Sequence, residues 1–152
     1  MRPQPTETVL VVRAGDRLCA LPIGSVVETM RPMPVTPLAG APPYVRGVAI
    51  VRGDPVPVVD LAALVGSTPT APARFVSVRA GGRAAALAVA GVVGVTRLEP
   101  EGERRMPLLA EACTGTLSAL RTRDDDLLLV LGAARLVPED ATAAVQRREV
   151  RP

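Results

Sequence analysis

The sequence predicts an all-β protein made of two small, similar barrels, and three observations lead there. Short β-rich runs of roughly five to seven residues recur along the chain, each bounded by Gly, Pro or Asp. The two halves of the chain repeat one another. The only aromatics among 152 residues are Tyr44 and Phe75. Ala, Val and Leu must therefore fill the core, and small branched side chains suit tightly curved strands better than broad sheets.

In chain order, the first runs are Thr8–Arg13 and Leu18–Ile23. Between them Ala14-Gly15-Asp16 reads as a hairpin turn, with glycine supplying the positive φ. Val45–Val51 and Val56–Leu61 follow. The second half carries Phe75–Arg79, Ala84–Val89, Val92–Leu98, Thr116–Arg121 and Leu127–Leu131, with a glycine turn at Ala80-Gly81-Gly82 and a polar turn at Asp124–Asp126. Evenly spaced short strands suggest a sandwich or barrels. Setting Val12-Arg-Ala-Gly-Asp-Arg-Leu-Cys-Ala-Leu21 above Val78-Arg-Ala-Gly-Gly-Arg-Ala-Ala-Ala-Leu87 reveals a repeat at an offset of 66, which continues through Val26-Val27 against Val92-Val93. The later strand recurs as well, Val56–Val65 resembling Leu128–Val137. Two half-chains with the same strand order imply two barrels. The expected organisation is one domain over 8–137, with subdomains over about 8–65 and 74–137 and a linker over about 66–73, whose Ser, Thr, Pro and Ala are linker-like. The tail 138–152 is polar, and its Glu139–Arg148 segment has the composition of a short, frayed helix.

Histidine is absent, which removes the commonest general base and metal ligand and any histidine phosphoacceptor within this chain. Cys19 and Cys113 are too few for a structural zinc site. Their spacing is not that of a disulfide scaffold; a bond between them stays open, but two buried thiols in a reducing compartment is the favoured reading. No phosphate-binding glycine motif stands at a strand-to-helix turn. Asp124-Asp125-Asp126 lacks the spaced ligands of a calcium loop and reads as a solvated turn. Asp54 and Asp60 have no evident acid/base partner. The chain is thus expected to be no enzyme and to need no cofactor or metal. Met1–Thr8 has no apolar core of a signal peptide, and no apolar run reaches the roughly 18 residues of a membrane span, so a soluble cytoplasmic protein is expected. The net charge of +3 is carried by arginine alone, since lysine is absent. The arginines are scattered and stacking aromatics are missing, which argues against nucleic acid as a partner.

The stretch from Pro34 to Leu61 strongly resembles the signature region of CheW-like domains: a proline-containing loop, the Gly47-Val48 strand, the Arg52-Gly53 turn and a strand ending in Pro57-Val-Val-Asp-Leu61. The resemblance extends over roughly Thr8 to Val137. It implies two five-stranded SH3-like β-barrels and an adaptor that joins methyl-accepting chemoreceptors to a CheA-type histidine kinase, within arrays beneath the inner membrane. By position it implies receptor-facing roles for Val26, Glu28, Arg52, Val92 and Val95, and a kinase-coupling role for Gly47. The implied partners are a receptor signalling tip, the kinase's regulatory domain and other CheW-like proteins. The chemistry of these residues also allows plainer roles: valines in strands pack cores, glycines and prolines shape turns and edges, and Glu28 and Arg52 have charges that can pair with each other or reach a partner. This chain departs from the family pattern at Ile50, before Val-Arg-Gly, and at Val89-Ala-Gly-Val-Val-Gly-Val95, which lacks an acidic residue. Those departures leave open a divergent adaptor that binds receptors without driving a kinase. An Arg-rich barrel that binds nucleic acid is the competing reading of another class.

Overall fold

The computed structural model describes residues 7–98, 103–104, 117–123, 126–132, 137 and 141–142. Its strands are β1 (Glu7–Ala14), β2 (Arg17–Pro22), β3 (Val26–Met30), β4 (Val45–Val51), β5 (Asp54–Asp60), β6 (Arg74–Ala80), β7 (Arg83–Val89), β8 (Gly91–Leu98), β9 (Glu103–Arg104), β10 (Leu117–Arg123) and β11 (Asp126–Leu131). A 3-10 turn over Ile23–Ser25 links β2 to β3, and a single helical turn, α1 (Leu61–Leu64), follows β5. The expected all-β class holds. The glycine turns also form as expected, with Gly15 at φ 63° and Gly81 and Gly82 at 59° and 78°. Four elements escaped the sequence reading, namely β3, the two-residue β9, the 3-10 turn and α1. Strand β3 contains Glu28 and Thr29 and so lacks an apolar run, while α1 is one turn that Asp60 caps, its carboxylate accepting from the Ala63 N–H at 3.3 Å. Asp124, Asp125 and Cys113 lie outside the described residues.

The sheets do not follow the two half-chains. One sheet has the strand order β8-β1-β2-β11-β10-β9 and the other β3-β6-β7-β5-β4. The first hairpin, β1–β2, is flanked by β8 and β11 from the second half of the chain. The second hairpin, β6–β7, is flanked by β3 and β5 from the first half. The expected division into subdomains over 8–65 and 74–137 is therefore corrected: each repeat hairpin is completed by strands of the other half. The supposed linker is corrected too. It connects α1 to β6 within one sheet, and Ser67 binds the turn of the other, its hydroxyl donating to Asp16 Oδ1 at 2.6 Å and accepting from the Asp16 N–H at 3.2 Å.

The core explains both the exchange and the scarcity of aromatics. On β1, β2 and β11 alternate residues serve two clusters, as the two-residue period of a strand requires. Val9, Val11, Leu18, Ala20, Leu128 and Val130 fill one sheet's own interior. Leu10, Val12, Cys19, Leu21, Leu129 and Leu131 face a central cluster shared with Val76, Val78, Ala85, Leu87 and Val89 of the other sheet. Ala49, Val56, Val58, Phe75, Ala86 and Ala88 fill that second sheet. Strands buried on both faces read as unbroken apolar runs, and the repeat pairs Val12/Val78, Ala14/Ala80, Cys19/Ala85 and Leu21/Leu87 all lie in the central cluster. The similar hairpins thus pack against each other across the middle of the molecule. Val137 and Ala141 join this cluster, so the expected polar tail contributes a buried side chain.

Candidate functional site

Strands β4 and β5 are joined by the two residues Arg52 and Gly53, since Val51 is opposite Asp54. Both have positive φ, 51° and 86°, the backbone of a tight hairpin whose twist matches that of the strands. Glycine adopts it freely, whereas a side chain there costs about 1–2 kcal/mol of backbone strain. Arg52 bears that strain while its side chain is 78% exposed. Its Nη2 donates to Glu28 Oε2 at 2.7 Å and its Nε to both carboxylate oxygens at 3.1 and 3.2 Å. Planar fork meets carboxylate in the geometry arginine favours. The guanidinium holds the Glu28 carboxyl below its ordinary range, mainly through this hydrogen bond, and Glu28 in turn raises the Arg52 pKa.

This pair also reports on the sheet's shape. Strands β3 and β4 are its two edges, four strand spacings apart, or about 19 Å if the sheet were flat. A 2.7 Å contact from β3 to the β4–β5 turn requires the sheet to curl. The chain leaving β3 completes the curl: Thr36 and Val48 exchange backbone hydrogen bonds of 2.8 and 2.9 Å along the outer edge of β4. Gly47 permits this. It is buried, with φ 148°, and a Cβ there would strike the Thr36 carbonyl oxygen and approach its carbon to 2.7 Å. Beside it, Arg46 donates to Asp60 Oδ2 at 2.9 and 3.2 Å, so Asp60 anchors β4 and caps α1 with one side chain.

The six residues singled out by resemblance are placed as follows. Glu28 and Arg52 meet in the ion pair. Gly47 lies on β4, an edge of the same curled sheet, beneath the Thr36 segment. Val26, on β3, packs partly against the central core, whereas Val92 and Val95 are exposed on β8, an outer strand of the other sheet. The sequence reading missed Arg46 as the partner of Asp60, and it missed the exposed Val27 and Val93, although the repeat aligns those two. Elsewhere, burial pushes the Cys19 thiol up to about 12, and hydrogen bonding from Ser67 lowers the Asp16 pKa. Among the described residues no cluster of three or more His, Cys, Asp or Glu side chains could hold a metal ion. Also among them, no helix is long and apolar enough to cross a membrane.

Comparison with known proteins fits this architecture. No curated protein matches the sequence. Among solved structures, the scaffolding protein TtCheW from Thermoanaerobacter tengcongensis is similar, with a TM-score of 0.74, 22% identity and 86% of each chain covered. That likeness concerns the fold. The model of the CheW-like domain matches residues 8–141, nearly the whole chain. The chain belongs to the CheW-like domain family.

Proposed function

We propose that this chain is a non-catalytic chemotaxis adaptor that couples methyl-accepting chemoreceptors to a CheA-type histidine kinase in cytoplasmic arrays. Family membership supports the scaffold role. The observation that carries the coupling role is Arg52. A strained, non-glycine backbone at an exposed tight turn, with a guanidinium that stays largely exposed while held by Glu28, supports a contact role for Arg52, since such strain clusters at functional sites. Exposed charges of this kind govern partner specificity and association rate more than affinity. Val92 and Val95 supply exposed apolar surface on the other sheet, and a helical receptor tip laid there would be recognised by helix-in-groove packing. Signalling then passes through differential contacts in a shared assembly, since such coupling needs no chemistry in the adaptor.

The test is a pull-down with two baits, the regulatory domain of a CheA-type kinase and a receptor signalling tip. Wild type is expected to capture both at tens of micromolar, roughly −6 kcal/mol, with Arg52→Glu and Val92→Asp reducing receptor capture. Capture of the tip without the kinase would identify the divergent adaptor instead. Capture of neither would refute the proposal. Nucleic-acid binding, the other competing reading, would show as a steep loss of affinity with salt.

A further inference from the structure

The connector 66–73 leaves α1, crosses the β1–β2 turn of the other sheet and returns to β6. It is fastened at both ends. At the near end the Ser67 hydroxyl donates to Asp16 Oδ1 at 2.6 Å and accepts from the Asp16 N–H at 3.2 Å. At the far end the Ala73 N–H donates to the Val89 carbonyl at 2.9 Å. Gly15 lets the near end settle on the turn, because a Cβ there would strike the Thr68 carbonyl oxygen and lie 2.5 Å from Ser67 Oγ. Between the fastenings, Thr68 to Ala71 are exposed, and Pro69 and Pro72 have no N–H to donate.

The twin hairpin lacks this arrangement. Strands β6 and β7 are likewise joined by two residues, Gly81 and Gly82, 66 positions beyond Gly15 and Asp16. Among the described residues, nothing occupies the space a Cβ on Gly81 would enter, and Gly82 has no side chain to bind a connector. A two-residue turn in this fold therefore does not need a carboxylate, and Asp16 serves another purpose. Hydrogen bonding, chiefly from Ser67, holds its carboxyl below the ordinary range, so the carboxylate is the form that grips the connector at neutral pH. The grip continues into the second sheet. The Ser67 N–H donates to the Ala62 carbonyl of α1 at 2.7 Å. Asp60 caps α1 at the Ala63 N–H, accepts from Arg46 of β4 at 2.9 Å, and donates its own N–H to the Tyr44 carbonyl at 2.7 Å. Ser67, one helical turn and Asp60 thus connect Asp16 on one sheet to β4 on the far edge of the other.

We propose that 66–73 is a latched strap, a conformational device in which the Asp16–Ser67 latch ties the β1–β2 turn to α1 and to the Asp60–Arg46 pair, so that opening the latch loosens β4 at a distance. The physical reason lies in α1. At four residues it is far too short to hold itself, and it is restrained by Asp60 at its start and by the strap's bond to Ala62 at its end. Freeing the strap removes the second restraint. The loosened turn then shifts the Asp60 carboxylate, which serves Ala63 and Arg46 together. The central cluster still holds the sheets to each other, so the opening is local and lies below global unfolding. The device stands independently of the adaptor reading. Within that reading it carries the state of the first hairpin to the strand that bears Gly47, as a coupling between sites that needs no chemistry.

The experiment is residue-resolved native-state hydrogen exchange on the full chain, comparing wild type with Ser67→Ala, Asp16→Ala and the double variant. Three sets of amides report. Val65, bonded to the Leu61 carbonyl, reads the end of α1; Asp60, bonded to the Tyr44 carbonyl, reads the β4 side; Ala80 and Arg83, paired across the twin turn, serve as the control. Either single variant is expected to speed exchange at Val65 about fivefold, the worth of one exposed hydrogen bond to a charged group. Asp60 should speed up about threefold, and the twin turn should keep its wild-type rates. The double variant should exchange no faster than either single one, because both remove the same latch. Each single variant alone decides the matter if the other does not fold. A wild-type rate at Asp60, equal acceleration at the twin turn, or a double variant whose acceleration is the product of the two overturns the inference. None of these outcomes bears on the adaptor reading, since the measurement involves neither receptor nor kinase.

Discussion

Individual residues show how local chemistry sets pairing, backbone geometry and reactivity. Glu28 is held below its ordinary value of 4.5 by the Arg52 hydrogen bond. A carboxylate with a lowered folded pKa contributes stability that is complete above its unfolded value and lost as pH falls through the folded one. Thermal midpoints of wild type and Glu28→Gln should therefore differ above pH 4.5 and converge below it, and a pH-independent difference would contradict the pairing. With no histidine in the chain, no side chain with an ordinary imidazole pKa adds a second step near neutrality. Gly47 has the opposite character, since its constraint is steric. Gly47→Ala should destabilise the fold by about 2 kcal/mol in denaturant unfolding, because the collision is with the backbone of Thr36 and a positive φ adds strain. Cys19, buried with its thiol pushed up to about 12, should resist a thiol reagent at mildly alkaline pH in a Cys113→Ala background and react only on unfolding, because the thiolate is the nucleophile.

Among the elements, single side chains set how strands begin, turn and end. Asp60 closes β5, caps α1 and holds Arg46 on β4. Asp60→Ala should lower stability by about 1–2 kcal/mol through the missing cap and a stranded arginine; an unchanged denaturation midpoint would show that α1 and β4 do not depend on it. The hairpin turns at Gly15, Arg52-Gly53 and Gly81-Gly82 follow from the need for positive φ. Two of these are legible in the sequence as glycine turns, and the third is legible as the Arg-Gly turn of the family signature. Strand β3 is not legible, because Glu28 and Thr29 interrupt any apolar run and its partner β6 lies far along the chain. Its bulge is equally hidden, although the twin in β8 lies at the same repeat position.

For the molecule as a whole, the exchange of strands makes the halves interdependent. Two barrels built from consecutive half-chains would fold separately, and this protein should not. Fragments cut within 66–73 are expected to be unfolded alone by circular dichroism and to regain β structure when mixed. Independent folding of either fragment would contradict the topology. The central cluster makes the same point energetically. Leu87, fully buried there, joins the two sheets, so Leu87→Ala should cost about 2–5 kcal/mol and lower one cooperative transition rather than one of two.

Fold class, most strand positions, the glycine turns and the family are all written in the order of residues, because they depend on local periodicity, backbone freedom and a contiguous motif. The repeat is written there too, since similar hairpins need similar residues. Other features emerge only when the chain is folded: which half-chain completes each sheet, the pairing of Arg46 with Asp60 and of Glu28 with Arg52, and the exposure of Val92 where its twin Val26 is half-buried. Those outcomes turn on register, curl and the packing of one hairpin on its twin, and each is an interaction between residues distant in sequence that no local pattern encodes.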